Sequence, residues 1–378
     1  MKKICVIAEE DLSTSRQKRL LDLLYGKFML TGIGLEAVPY KDIEILSYPH
    51  AIKRNAEQEA ELERNVAKKD YMKLVKIPNR MIIEKYLQER IFDAIFCKDL
   101  VLLPFVIENR KNAKVIMDCR EYYPGEQGDE RWKRLFAGFN DWLCQTYLPQ
   151  ADYVYSVSQG IAEEYTKNYG IKCDVITSAA YYFAPPPTLF AHSKETEQIK
   201  LIYHGMASPE RGIEVMIETM DYVDSRFTLD LMLVANYNQE YFNKLQAMVE
   251  KRKNVRILPP VSFEEIIPFS AQYDIGFYIL KPANFNHLYA LPNKFFEFIQ
   301  ARLAIAISPN PEMARLTKQY NLGIISKDFS AKEMAQSLNA LTKEQILQYK
   351  ENANQTAKIL NAEKEGEKVL KILEEITQ

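Results

Sequence analysis

The sequence predicts an α/β protein built from two doubly wound Rossmann-like domains. Three observations carry that expectation. Short apolar runs of four to eight residues alternate with longer amphipathic stretches along almost the whole chain. The runs are rich in Val and Ile, and such strands separated by helices mean βαβ units and parallel sheets. The alternation breaks once, at Ala184-Pro185-Pro186-Pro187 and the polar stretch 192–198, and then restarts. Consecutive prolines join neither a helix nor a central strand, so this is the domain boundary.

The expected division is an N-terminal domain over 1–187, a C-terminal domain over 188–360 and a closing helix over 361–378. Paired sheets of this kind place ligands outside the carboxyl ends of their strands, in a cleft between the halves. Strands are expected over 4–8, 43–47, 94–97, 115–118, 153–157 and 175–178, with helices over 15–29, 131–147 and 159–169. In the second half they are expected over 201–204, 229–234, 255–258, 275–280, 304–308 and 323–326. From Ala331 onward the pattern is helical. The last helix carries Val369, Ile372, Leu373 and Ile376 on one stripe, fit to pack on a core.

A chain of 378 residues exceeds the size at which one core stops growing, in keeping with two domains. A net charge of −2 argues against a bulk nucleic-acid binder. No apolar run approaches the ~20 residues that cross a bilayer. The opening MKKICVIAEED turns acidic at once and reads as a first strand, not a signal peptide. Five scattered cysteines without CxxC spacing read as reduced thiols of a cytoplasmic protein. Four histidines, none paired at ligand spacing, give no zinc site, so no metal is expected.

The stretch 291–309, LPNKFFEFIQARLAIAISP, is the most informative. It reads as a helix followed by a buried strand, with Pro292 in the first turn and Phe295, Phe298, Ile299 and Leu303 facing a core. Lys294 and Glu297 lie three apart on one face. The free N–H groups of the helix start, near Asn293, form a phosphate site, and a carboxylate one turn on can accept sugar hydroxyls. A nucleoside diphosphate fits that description, and so does a surface helix carrying an ion pair.

A second segment, YHGMASPERGIEVMIETM over 203–220, reads as strand, loop and helix start. Arg211 there suits a forked grip on a diphosphate, and Gly205 allows close backbone approach. A plain turn with a surface arginine reads the same way. A third, IMDCREYYPGE over 116–126, brings Asp118, Arg120 and Glu121 to a strand's carboxyl end, to bind ligand or to close a salt bridge. The loop EEDLSTSRQKRL offers Ser13, Thr14 or Ser15 as a helix cap. GxGxxG, GxxxxGK[ST] and GxSxG are all missing, which counts against nicotinamide dehydrogenases, P-loop enzymes and α/β-hydrolases. The charged stretch 50–90 holds Lys53, Arg54, Lys68, Lys69, Lys73, Lys76 and Arg80. It reads as a solvated helical face or as a contact with an anionic membrane.

These segments resemble the glycosyltransferases of the GT-B fold, specifically the family-4-like retaining enzymes that use nucleotide sugars. The segment over 203–220 looks like their glycine loop, whose basic residue before the helix-start glycine grips the diphosphate; that is Arg211. NHLYALPNKFFEFIQARLAIAISP looks like their donor segment, whose helix glutamate holds the ribose hydroxyls; that is Glu297. ADYVYSVSQGIAEEY is similar to the last strand and helix of their first domain, and LNAEKEGEKVLKILEEI to the final helix that packs back on it. Three positions depart from the pattern. Tyr289 stands where the first of two glutamates eight apart is usual, Met206 where an arginine often follows the glycine, and Asp118-Cys119-Arg120 where Asp-x-His is usual.

The resemblance implies transfer of a hexosyl group from a nucleotide-diphosphate sugar to a hydroxyl, with retention, in bacterial surface glycan synthesis. Arg211 and Lys294 would be the catalytic cations, with Glu297, Gly205, Asn293 and Pro292 on the nucleotide. Asp118, Arg120, Glu121, Ser15, Arg16, His287 and Tyr289 are the candidates for the sugar or acceptor. No cofactor is required, the nucleotide sugar being a co-substrate. Its partners would be that donor and a glycan or lipid-linked acceptor, without nucleic acid. With a lipid-linked acceptor the N-terminal domain would contact the inner face of a membrane through the 50–90 stretch and the basic-aromatic helix start 131–136; with a soluble or protein-presented acceptor the same surfaces are solvated and the protein is cytoplasmic. A nucleotide-sugar epimerase of the same shape and a catalytically silent nucleotide-binding subunit are the alternatives.

Overall fold

The computed structural model describes residues 1–126, 129–185, 198–235 and 238–378, with Ser15 described by its backbone alone. The expected boundary at 187/188 and the polar stretch up to residue 197 lie outside these residues. Two compact units emerge. The first holds Met1–Thr177, Asn284–Asn286 and Gly366–Gln378; the second holds Ser178–Ala283 and His287–Glu365.

Among the described residues the first unit has a seven-stranded sheet. Its strands are β1 (Lys3–Ala8), β2 (Met29–Leu35), β3 (Glu44–Tyr48), β4 (Ala94–Cys97), β5 (Lys114–Cys119), β6 (Tyr153–Ser156) and β7 (Asp174–Val175). They run parallel in the order β3-β2-β1-β4-β5-β6-β7. Among its described residues the second unit has six strands: β8 (Ile199–Met206), β9 (Phe227–Val234), β10 (Val255–Leu258), β11 (Ile275–Tyr278), β12 (Ala304–Ile307) and β13 (Gly323–Ile325). These too are parallel, in the order β10-β9-β8-β11-β12-β13. The strand order reverses beside β1 in one sheet and beside β8 in the other. Those reversals leave a crevice at the carboxyl ends where ligands of open α/β sheets bind.

Sequence periodicity misses one strand. The first helix, expected over 15–29, spans Ser15–Leu24, and β2 follows at Met29. Gly32 and Gly34 weaken the strand signal of β2, and packing explains at least Gly32. A Cβ there would sit 2.4 Å from Leu12 Cδ1. The stretch 131–147 is helical but contains a π turn over Lys133–Ala137. Pro292 is the N-cap of its helix, not part of the first turn, because the helix begins at Asn293.

Each unit encloses its own core. In the first, Ile4, Val6, Ala94, Phe96 and Ile116 pack with Val369 and Leu373 of the last helix, Ala362–Ile376. That helix therefore joins the first unit's core through the stripe its sequence shows. In the second, Phe295, Phe298, Ile299 and Leu303 are buried with the apolar residues of β8, β11 and β12. Cys5, Cys97, Cys119 and Cys144 are buried free thiols, and Cys173 is a partly buried one. No helix among the described residues is long and apolar enough to cross a membrane.

Candidate functional site

In the second unit the segments singled out by sequence converge on the carboxyl end of β8. The helix Asn293–Gln300 covers this end, and Lys294 and Glu297 are both buried on it. Lys294 Nζ donates to the Tyr203 hydroxyl at 2.8 Å. The ammonium also stands over the rings of Tyr203 and Tyr278, 4.1 and 4.4 Å from their centroids. Gly205 makes room for it: φ is +146°, and a Cβ would lie 3.0 Å from Lys294 Nζ. Burial, and then the charge of Arg211, hold the Lys294 ammonium well below its usual pKa.

Arg211 ends the short turn Pro209–Arg211 after β8. Burial pulls its pKa down, but the neighbouring Tyr278 and Tyr203 outweigh that and raise it. The same arginine lies near His287, whose pKa is depressed first by burial and then by Arg211. Among the described residues neither Arg211 nor Lys294 has a carboxylate within ion-pair distance. Two basic side chains beside tyrosine rings, outside any ion pair among the described residues though Glu210 and Glu297 act on them, stand near a helix start that no side chain caps, and form a site suited to an anion. Pro292 and Asn293 are partly buried at that start, as are His287 and Tyr289 in the preceding segment.

Sequence reasoning passed over His204. Its ring is buried, edge-on to Phe298 with centroids 5.4 Å apart. Nε2 lies 3.4 Å from Glu297 Oε2 but has no hydrogen-bond partner. Burial, and then Lys294, push the imidazole pKa down to about 3, so the ring is neutral at pH 7. A histidine before the glycine at a strand's end was the available signal.

The first unit's switch point is built differently. Charged residues follow the ends of β1, β4 and β5 and pair among themselves. Asp118 is buried, accepting from Arg16 Nη2 at 2.5 Å and from Lys98 Nζ. Burial alone would push its carboxyl up, but Arg16 and Lys98 together overcome that and hold it well below the usual range. Arg120 reaches Asp99 at 3.2 Å and Glu10 at 3.7 Å. Arg80 meets Glu9 through Nε at 2.8 Å and through Nη2. Of the two readings left open for Asp118 and Arg120, these contacts are salt bridges. Glu121 is partly buried, and its backbone carbonyl accepts from the Tyr165 hydroxyl at 2.7 Å. Ser15 has no described side chain. Glu126 went unremarked in the sequence, yet burial, and then Glu121, push its carboxyl up to about 7.

The basic residues assigned to a membrane contact are largely paired with acids. Arg54 and Arg131 both meet Glu59, at 2.9 and 2.8 Å, and Arg134 meets Glu63 at 3.0 Å. Lys76 meets Glu84 and Glu108, each at 2.8 Å.

No family model matches the chain, and no curated protein matches it in sequence. Solved structures do match along its whole length. HepE from Anabaena in complex with UDP superposes with a TM-score of 0.73 at 12% identity, over 99% of this chain and 100% of that one. A glycosyltransferase from Rickettsia africae ESF-5 gives 0.67 at 14% identity, over 100% and 99%. The α,α-trehalose-phosphate synthase (UDP-forming) from Burkholderia vietnamiensis gives 0.67 at 9% identity, over 99% and 100%. At these identities the likeness is one of fold, and the fold is GT-B.

Proposed function

We propose that this protein transfers a hexosyl group from a nucleoside-diphosphate sugar to a hydroxyl acceptor. One observation carries the reading: Arg211 and Lys294 act on each other electrostatically at the end of β8, and among the described residues neither is held in an ion pair, Glu210 and Glu297 acting on them only from a distance. A buried cation left unpaired is costly, and a bound diphosphate removes that cost. In the reaction the anomeric C–O bond breaks and its electrons pass to the β-phosphate oxygen. Arg211, Lys294 and the N–H groups at Asn293 stabilise the charge that develops there. The acceptor oxygen bonds to the anomeric carbon, and its proton leaves to the departing phosphate. Glu297 takes the ribose hydroxyls, with Gly205 and Pro292 lining the nucleotide.

Complexes of Anabaena HepE with UDP and with UDP-glucose have this fold, which makes uridine nucleotides the first donors to try. Retention at the anomeric carbon and a bacterial surface glycan or lipid-linked acceptor complete the proposal. UDP release from UDP-sugars, followed with and without acceptor mixtures, tests it. Acceptor-dependent release supports transfer. Interconversion of the donor alone would replace transfer with epimerisation, and UDP binding without any turnover would make the chain a binding subunit.

A further inference from the structure

Resting on the reading of Glu297 as the ribose-binding carboxylate, we infer that His204 is a positioning residue. Its Nε2–H holds one oxygen of Glu297 so that the rest of the carboxylate is presented to a vicinal diol. Three observations point there. The imidazole is buried and fixed edge-on against Phe298, one residue beyond Glu297 on the same helix. Among the described residues Nε2 faces Glu297 Oε2 at 3.4 Å and has no hydrogen bond; an unsatisfied buried polar atom calls for an explanation, and a small movement onto Glu297 supplies one. Gly205, the next residue, lies against the Lys294 ammonium, whose charge acts on both His204 and Glu297, so the pair adjoins the anion site.

The tautomer follows from electrostatics. The neutral ring has one N–H, and a lone pair on Nε2 would oppose the lone pairs of the Glu297 oxygen. Nε2 must therefore carry the hydrogen. Closing the gap from 3.4 Å to an ordinary hydrogen-bond length turns the carboxylate and fixes the direction in which it meets two adjacent hydroxyls. A neighbour that orients a ligand-binding group in this way sets specificity without touching the ligand. The chemical feature selected is a ribose with both hydroxyls present.

The test uses the full-length protein and compares binding of UDP with that of 2′-deoxy-UDP. The parent should favour UDP by about tenfold or more, the size of a lost hydrogen bond to a charged group. In His204→Phe that preference should shrink to about threefold or less, because UDP loses affinity while 2′-deoxy-UDP changes little. His204→Gln, which returns an N–H at the reach of Nε2, should recover most of the preference. Equal losses for both nucleotides in His204→Phe, or none, overturn the inference. Histidine-selective ¹⁵N spectra of the parent give a second reading that needs no variant. A protonated Nε2 whose signal moves on addition of UDP supports it, and a ring protonated on Nδ1 overturns it. Glu297→Ala separates this proposal from its foundation. If the parent shows no preference, or Glu297→Ala keeps it, the ribose reading of Glu297 fails and His204 falls with it. If Glu297→Ala abolishes the preference and His204→Phe does not, His204 alone is misassigned.

Discussion

The two sheets turn at equivalent places and treat charge in opposite ways. At the end of β8 Lys294 lies over two tyrosine rings and Arg211 beside them, neither in an ion pair among the described residues. At the ends of β1, β4 and β5, Arg16, Lys98, Arg80 and Arg120 each find a carboxylate in Asp118, Glu9, Asp99 or Glu10. A closed set of ion pairs keeps a surface in place, while unpaired buried cations cost stability and are retained where a ligand supplies the missing charge. The same topology thus carries a structural rim in one unit and a site poised for an anion in the other.

The contrast breaks most visibly at Asp118. Asp118→Asn leaves Lys98 and Arg16 without their shared acid and should cost about 3–5 kcal/mol of stability, read from denaturant unfolding; an unchanged midpoint would remove the structural role. The opposite sign is expected at Lys294. Lys294→Met should cut turnover by about 10²–10³-fold while stabilising the unliganded protein by about 1 kcal/mol. Parental turnover would remove Lys294 from catalysis, and a large loss of stability would make it part of the framework. Glu297→Ala should weaken nucleotide-sugar binding by about 1.5–3 kcal/mol, checked by calorimetric titration; equal affinities would take Glu297 out of the site.

A separate effect, absent near the pH where each group is in its favoured form, is on pH dependence. The folded His204 titrates near 3 against 6.5 for the free side chain, so between those values the unfolded chain binds the extra proton. Its contribution to stability is complete above 6.5 and is lost as pH falls toward 3. Glu126 runs the other way. Its folded pKa of about 7 exceeds the ordinary 4.5, so its contribution is complete below 4.5 and is lost as pH rises through 7. Unfolding midpoints against pH should flatten on the acid side in His204→Phe and on the neutral side in Glu126→Gln. Unaltered profiles would mean that neither group titrates as its surroundings dictate.

The fold was largely legible because parallel strands buried on both faces write themselves as Val- and Ile-rich runs. The exception, β2, owes its glycines to the approach of Leu12, a contact between elements that no local pattern records. In the second unit Arg211, Lys294 and Glu297 were visible because each sits at a strand end or helix start, where residue type and position together imply chemistry. His204 stayed hidden because one histidine in an apolar strand looks like core. In the first unit the pairing of Arg80 with Glu9 crosses 71 residues of chain. Nothing in a charged helical stretch announces such a partner.

The central claim is that the unpaired cations, not the paired ones, bind the diphosphate. Titrating UDP into the parent, Lys294→Met and Arg120→Met tests it most directly. The account predicts that affinity collapses in Lys294→Met and holds within about threefold in Arg120→Met, since Arg120 is engaged in ion pairs of the first unit. Undiminished binding in Lys294→Met, or a collapse in Arg120→Met, would contradict it.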